Sequence, residues 1–448
     1  MKQVYLPALN NTTFHATPLQ EMFGDFGGTI DFAGNKIIKA FKHQGAGGFG
    51  AISEGGDFVK GRNQTGFQGY ERLKYLNTYF SLSGPASKTV RAGEGAYTDA
   101  ISSAMEDTLQ LARQQMERMC GGAGTGELCR FANAENSEVL TLEYLGTTDG
   151  VSSTTFSSTT TILTASAGGA YSKVQWLQPG IRVNLVATTE FDSSIPTTDF
   201  VEATDATRAV FEVGHVDYSE DTFSLKNVSG QTVDADEMDV ETLVMVLENS
   251  YGEIEAAGGE SSDYCLELNG LYNLVDTTTY ESWNLTRATY PHALNSTVIA
   301  AADAELDEEL LIGWILDLVN IKQSTPNVLV TDPKSRLKYF SNRKEDRRFD
   351  MTVMDSMFGF KSIGIVIDQY SMLLQSLSSL QPGTLFMLNT NAFKYAKATN
   401  GFQWIEDGGR ILRNKEGSDN LFGAAVNYCN FVCEDPKGQL KVTGLSYS

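Results

Sequence analysis

The sequence predicts an α+β protein in which a glycine-rich β-hairpin, one long helix, a cluster of short strands and a mixed α/β segment follow in that order. Three observations carry the prediction. Glycine punctuates β-prone pieces from Asp25 to Val90, apolar residues recur at helical spacing from Thr98 to Cys120, and residues 138–250 break into short strand-like runs separated by turn residues. At 448 residues the chain exceeds one ordinary core. Division by about 150 residues per domain gives roughly three units. The hydrophobic fraction of 41% and aromatic fraction of 10% are those of a globular protein and exclude bulk disorder.

Residues 1–24 are polar and mixed, without helical or strand period, and read as an extended N-terminal arm. In residues 25–95, Gly45-Ala46-Gly47-Gly48-Phe49-Gly50 and Ser53-Glu54-Gly55-Gly56 cannot nucleate a helix, because glycine loses too much backbone entropy there. Beyond them, Leu73, Tyr75, Tyr79, Phe80 and Leu82 fall in a β-prone run from Arg72 to Leu82. Two ribbons joined through a glycine tip form a long hairpin. Such a ribbon is marginal in water by itself, yet this one carries Phe49, Ile52, Phe58, Phe67 and Tyr70. It must lie against something else.

Residues 96–137 hold the clearest helix and the start of a packed domain. Ile101, Met105, Leu109, Ala112, Met116 and Met119 form one stripe at spacings of four and three. Thr98 is placed to cap the start, Asp99 and Arg118 suit the two ends of the dipole, and Gly121-Gly122 stops the helix. At ~1.5 Å per residue it is a spine of about 30 Å. Residues 138–250 then read as an inserted small β-barrel, with strands at Val139–Leu142, Ile181–Leu185, Ala209–Val213 and Thr222–Leu225. Turn signals such as Gln178-Pro179-Gly180 separate them, and the Ser/Thr tract 152–161 reads as a loop. The chain returns to the packed domain over 251–290. Residues 291–423 form an α/β domain: a helix from Leu306 to Ile321, a buried strand Asn327–Val330, and a second helix capped by Asp332 with Pro333 in its first turn. Ser362–Asp368 and Leu385–Asn389 read as strands, and 424–448 is a strand region led by Ala424–Cys433.

Charge and chemistry narrow the function classes. The formal net charge of −22 argues against broad phosphate binding. The charge is uneven: residues 1–100 carry 10 Lys+Arg against 8 Asp+Glu, and residues 138–250 carry 4 against 18. A slightly basic arm on an acidic molecule suits contacts between copies of one chain. No apolar run reaches the ~18 residues that span a bilayer, and the start Met1–Pro7 lacks signal-peptide features, so a protein made and folded in a cytoplasm is expected. Five cysteines with irregular spacing make no disulfide framework, and Cys120, Cys129, Cys429 and Cys433 read as buried free thiols over a zinc site. Gly121-Gly122-Ala123-Gly124-Thr125-Gly126 follows a helix rather than a strand, which favours a helix cap over a phosphate cradle. The acidic cluster Asp234, Asp236, Glu237, Asp239 and Glu241 lacks calcium-loop spacing and reads as a solvated loop. Lys334, Arg336, Lys338, Arg343, Lys344, Arg347 and Arg348, interrupted by Glu345 and Asp346, read as a solvated or intersubunit face. No catalytic motif occurs; an enzyme, a cofactor and a metal are not expected.

The order of parts resembles the major capsid proteins of tailed bacteriophages, the HK97-like fold family. Ala51-Ile52-Ser53-Glu54-Gly55-Gly56 looks like that family's extended loop, and Phe80–Ser87 like the approach to its spine helix. Glu267-Leu268-Asn269-Gly270-Leu271 and Pro326–Pro333, leading into Leu337–Tyr339, resemble the approach to its axial domain and that domain's core, and Tyr395–Leu412 its late β-rich part. The resemblance implies an N-terminal arm, an extended hairpin loop, a spine helix, and peripheral and axial domains. It also implies hexamers and pentamers in an icosahedral shell around double-stranded DNA, with a scaffolding protein, a portal and a decoration protein as partners. A bacterial encapsulin shares the fold and stays open as an alternative, with a β-rich tail or adhesin protein behind it. On this reading Phe49, Ile52, Phe58, Phe67 and Tyr70 contact a neighbouring subunit, and the acidic insert faces outward. Lys36, Lys39, Lys42 and Lys60 are read as ordinary surface lysines rather than cross-linking groups.

Overall fold

The computed structural model describes residues 29–31, 36–83, 94–124, 126–132, 163–164, 176–187, 210–217, 222–228, 242–248, 266–277, 282–342, 353–355, 361–367, 370–377, 380–399, 401–406, 411–414 and 420–446. Residues 1–24, Val139–Leu142, the Ser/Thr tract, the acidic cluster 234–241 and the basic residues 343–348 lie outside them.

Strands β2 (Lys36–Gln44) and β3 (Thr65–Arg72) pair antiparallel from Lys36↔Arg72 to Gln44↔Thr65 and form the hairpin. Gly66 allows close approach, since a Cβ there would lie 2.7 Å from Phe41 O. The predicted hairpin region divides at Leu73. Strand β4 (Lys74–Leu82) leaves the ribbon and pairs with β20 (Leu421–Cys433), setting Tyr75 opposite Tyr428 and Tyr79 opposite Ala424. Alternate burial explains this, for Lys74, Leu76 and Phe80 turn inward while Tyr75, Asn77 and Tyr79 turn out. Strand β20 also pairs with β17 (Phe393–Lys397), β18 (Gln403–Trp404) and β19 (Arg413–Asn414), and β1 (Thr29–Asp31) joins β17 in parallel.

Helix α1 (Glu94–Gly121) packs on this sheet through the predicted stripe: Met105, Leu109, Ala112, Met116 and Met119 are buried. It begins upstream of Thr98, which therefore lies inside the helix and does not cap it. A cap preference of about 1 kcal/mol does not stop propagation by itself. Arg118 is likewise more than a charge near the dipole's end. It is buried, ion-paired with Glu267, and donates Nε to Gln115 Oε1 at 2.8 Å and Nη1 to Glu127 O at 3.2 Å. The helix ends where Gly122 N donates to Met119 O at 3.0 Å.

Among the described residues, the segment read as the insert is a six-stranded antiparallel sheet in the order β5-β10-β7-β8-β9-β6. Its strands are β5 (Glu127–Ala132), β6 (Leu163–Thr164), β7 (Arg182–Ala187), β8 (Phe211–Asp217), β9 (Thr222–Asn227) and β10 (Thr242–Leu247). It takes in β5, upstream of the expected start at 138, because β10 needs a partner on its second edge. Leu128, Val183, Leu185, Phe211, Val213, Phe223, Leu225 and Met245 give it a core of its own.

The third sheet is mixed, in the order β11-β21-β16-β12-β15-β14-β13. It comprises β11 (Thr297–Ala300), β12 (Val328–Thr331), β13 (Val353–Asp355), β14 (Lys361–Ile367), β15 (Tyr370–Ser376), β16 (Leu385–Leu388) and β21 (Leu440–Thr443). Its central strands are buried on both faces. Leu329, Leu385 and Met387 meet helix α2 (Glu308–Lys322), while Val328, Val330, Phe386 and Leu388 join the core under α1. The expected cap at Asp332 is present, and a second cap, not foreseen, stands at Asp307. Asp307 caps α2, and Asp332 Oδ2 accepts from Lys334 N at 3.0 Å and Ser335 N at 3.1 Å at the start of α3 (Pro333–Asn342).

Candidate assembly surface

The hairpin presents its apolar residues in two groups. Phe49 is 102% exposed, Phe58 89% and Ile52 47%, all on the tip between β2 and β3. Phe67 and Tyr70 are docked at home instead. Phe67 stacks on Tyr290 with centroids 3.8 Å apart and on Phe41 at 5.1 Å. Tyr70 carries the Lys36 ammonium 3.6 Å from its ring centroid, and its hydroxyl accepts from Asn284 Nδ2 at 2.6 Å. The hairpin thus has a fixed foot and a bare tip. The foot uses the period-2 face of β3, on which Phe67, Gly69 and Glu71 turn toward Trp283, Leu294 and Val432.

Trp283 is the centre of that foot. Ser282 and Leu285 exchange backbone hydrogen bonds of 3.2 and 3.1 Å, so Trp283 and Asn284 form a two-residue turn with φ of 57° and 53°. Left-handed backbone costs a non-glycine residue about 1–2 kcal/mol, and here specific contacts offset it. Trp283 Nε1 donates to Cys433 O at 2.8 Å, Tyr70 N donates to Trp283 O at 3.0 Å, and Trp283 N donates to Glu71 Oε1 at 2.8 Å. Gly69 makes room: a Cβ there would stand 2.6 Å from Trp283 Cβ. Nearby, the buried Arg287 guanidinium donates to the carbonyls of Asn273, Leu274, Asp276 and Leu294, and burial pulls its pKa down to about 10. Lys441 pairs with Asp276 at 3.0 Å, also buried.

A second bare surface lies on the outer face of the sheet under α1. Tyr75 is 69% exposed and Tyr79 71%, with Asn77 and Ser81 between and beyond them. Tyr428, Val426, Ala424 and Phe422 stand opposite on β20, half-buried, and Tyr75 meets Tyr428 edge-on at 5.3 Å. None of these eight side chains is charged.

The remaining candidates are structural. Cys120, Cys129, Cys429 and Cys433 are buried and unbridged. Burial pushes the Cys429 and Cys433 thiols up to about 12, away from nucleophilic use. Among the described residues no three His, Cys, Asp or Glu side chains converge as metal ligands, and no helix is long and apolar enough to cross a membrane. Arg336 donates to Ser376 Oγ at 2.8 Å and Lys338 pairs with Glu305 at 3.2 Å, so this end of the basic run is engaged within the domain. Of the hairpin lysines, Lys39 donates to Glu434 O at 3.0 Å. Sequence reasoning missed Glu71, Trp283 and Arg287, whose partners are set only by the tertiary fold.

No protein-family model and no curated protein matches the sequence. Solved structures do. A chain of the cyanophage A-1(L) capsid asymmetric unit matches with a TM-score of 0.50 and 9% identity, over 96% of this chain and 93% of that one. The fold is that of a phage capsid chain. A chain of the capsid of a native GTA particle matches with a TM-score of 0.40 and 6% identity, over 95% of this chain and 90% of the other. One from Mycobacterium phage Patience matches with a TM-score of 0.40 and 10% identity, over 99% and 89%.

Proposed function

We propose that this protein is the major capsid protein of a tailed double-stranded-DNA phage: a structural subunit, not an enzyme, that assembles into hexamers and pentamers of an icosahedral head. The observation that carries this reading is the hairpin tip, where Phe49 and Phe58 stand in solvent on a ribbon whose foot is locked to the body. Burying Phe49, Ile52 and Phe58 against another copy contributes ~1.5–3 kcal/mol each, less the cost of ordering the tip. The uncharged Tyr75–Tyr79 face has the chemistry to receive them. Tip and face are different surfaces of one chain, so their contact is heterologous and builds rings or extended lattices rather than a closed pair. The capsid fold supports the same reading.

The acidic insert belongs on the outer surface, where packaged DNA repels it least. A scaffolding protein, a portal and a decoration protein are the further partners of such a shell, and the virion is its place. The test is direct. Negative-stain images of the purified protein should show closed shells or capsomers, and particles from infected cells should contain DNA. Closed shells lacking nucleic acid would point to an encapsulin-type compartment, and discrete trimers to a tail or adhesin protein.

A further inference from the structure

Glu71 sits at the foot of the hairpin, on β3, and is only 9% exposed. Its two oxygens are divided between two loops. Oε1 accepts from Trp283 N at 2.8 Å, and Oε2 accepts from Asn269 Nδ2 at 3.1 Å. Each loop is itself tied down. Trp283 is bonded to Cys433 through its indole and to Tyr70 through its carbonyl. Asn269 N donates to Asn430 Oδ1 at 3.1 Å, and the next residue, Gly270, abuts the end of α1. One carboxyl group therefore joins the hairpin to β20 and to α1.

That junction is where a lever would be fixed. From Glu71 to Thr65 at the far end of β3 is about 20 Å at ~3.3 Å per residue, so a tilt of about 10° at the foot moves that end roughly 3–4 Å and the tip beyond it further. Such a shift is comparable to the ~4 Å reach within which two side chains touch.

We propose that Glu71 is a positioning residue: by holding the Trp283 turn and Asn269 together, it sets the angle at which the hairpin leaves the body and hence where Phe49 and Phe58 are delivered. The proposal rests on the reading of the tip as a contact with a second copy. The charged groups facing Glu71 are Lys74 of β4 and Arg287, and both favour its ionised form, as do the two hydrogen bonds. Burial opposes them and prevails, holding the carboxyl above its ordinary value. A carboxyl raised in the docked state favours docking when protonated. The pin is therefore firmest below the ordinary carboxylate value and loosens as pH rises from there through the raised one.

The experiment measures hydrogen exchange of the Tyr70 amide in unassembled protein from below the ordinary carboxylate value upward into neutral pH, corrected for the intrinsic rate, alongside shell formation. The wild type should lose protection as pH rises. Glu71→Gln keeps an acceptor oxygen without charge and should give a flat profile. Glu71→Ala should lose about tenfold or more of the protection at every pH, and should form irregular shells or none while its thermal midpoint stays near that of the wild type. A flat wild-type profile overturns the proposal, as does a Glu71→Gln profile that still follows pH. So does Glu71→Ala protein with wild-type protection and regular shells. If wild-type protein forms neither shells nor capsomers, the capsid reading fails instead, and Tyr70 exchange still decides the role of Glu71.

Discussion

Gly270 shows how much a single position constrains this fold. A Cβ there would stand 2.2 Å from Met119 O and 2.3 Å from Gly122 O, both backbone atoms of the α1 terminus. Tyr272 N donates to the same Gly122 carbonyl at 3.1 Å, so the segment after Leu268 seals the helix end. Gly270→Ala must push two backbones apart, and a loss of about 3 kcal/mol or more is expected. Gly313 is the control. It lies in α2 with nothing within 4 Å of a built Cβ, so Gly313→Ala should raise stability by about 0.5–1 kcal/mol. Thermal unfolding of both variants checks the pair, and a small or absent loss for Gly270→Ala would show that the α1 terminus is free to adjust.

At the scale of elements, the hairpin is two structures in one. Its foot shares a core with Trp283, Leu294 and Val432, whereas Gly45 to Gly50 and Ala51 to Arg62 are exposed apart from the half-buried Gly56. Lys60 and Arg62, either side of Gly61, offer trypsin two sites within that exposed stretch. Cleavage there should be fast in isolated capsomers and slow in shells, because protease access follows local opening and contact. Equal rates in both states would mean that the tip never docks. Cleavage after Lys74, which is 7% exposed, should be slow in both and reports the integrity of the body.

At the scale of the whole molecule, the residues that hold the chain together are separate from those proposed to join it to other copies. The core under α1 also reaches the seven-stranded sheet through Val328, Val330, Phe386 and Leu388, so those two parts share one interior. Tip residues contribute nothing to that interior. A Phe49→Ser/Phe58→Ser double variant should therefore unfold within about 1–2 °C of the wild type, since substitutions outside the core are usually worth less than about 0.5 kcal/mol. Its sedimentation should nonetheless show assembly weakened or lost. A variant that builds normal shells would remove these two residues from the interface, and one that unfolds early would show that the tip packs on its own body.

Local signals made several elements legible in the sequence. The stripe from Met105 to Met119 and the glycine stop after it, the cap at Asp332 with Pro333, and the long run at Ala424–Cys433 are each encoded within one window of residues, where periodicity and capping act. The short strand β11 escaped, being too brief to show a period. The exposed tip was legible too, because glycines and unpartnered aromatics are adjacent in sequence. By itself, then, the sequence determined the long helix, the longer strands and the glycine-rich tip around Phe49 and Phe58, and it carried the resemblance to the capsid fold. Only the tertiary structure decided that β4 pairs with β20 rather than within the hairpin, and that Phe67 and Tyr70 dock at home. It also decided that Glu71 meets Trp283 across 212 positions. The physical reason is that partner choice is made by competition for burial and for hydrogen bonds among segments far apart in the chain, and no local window contains both sides of that competition.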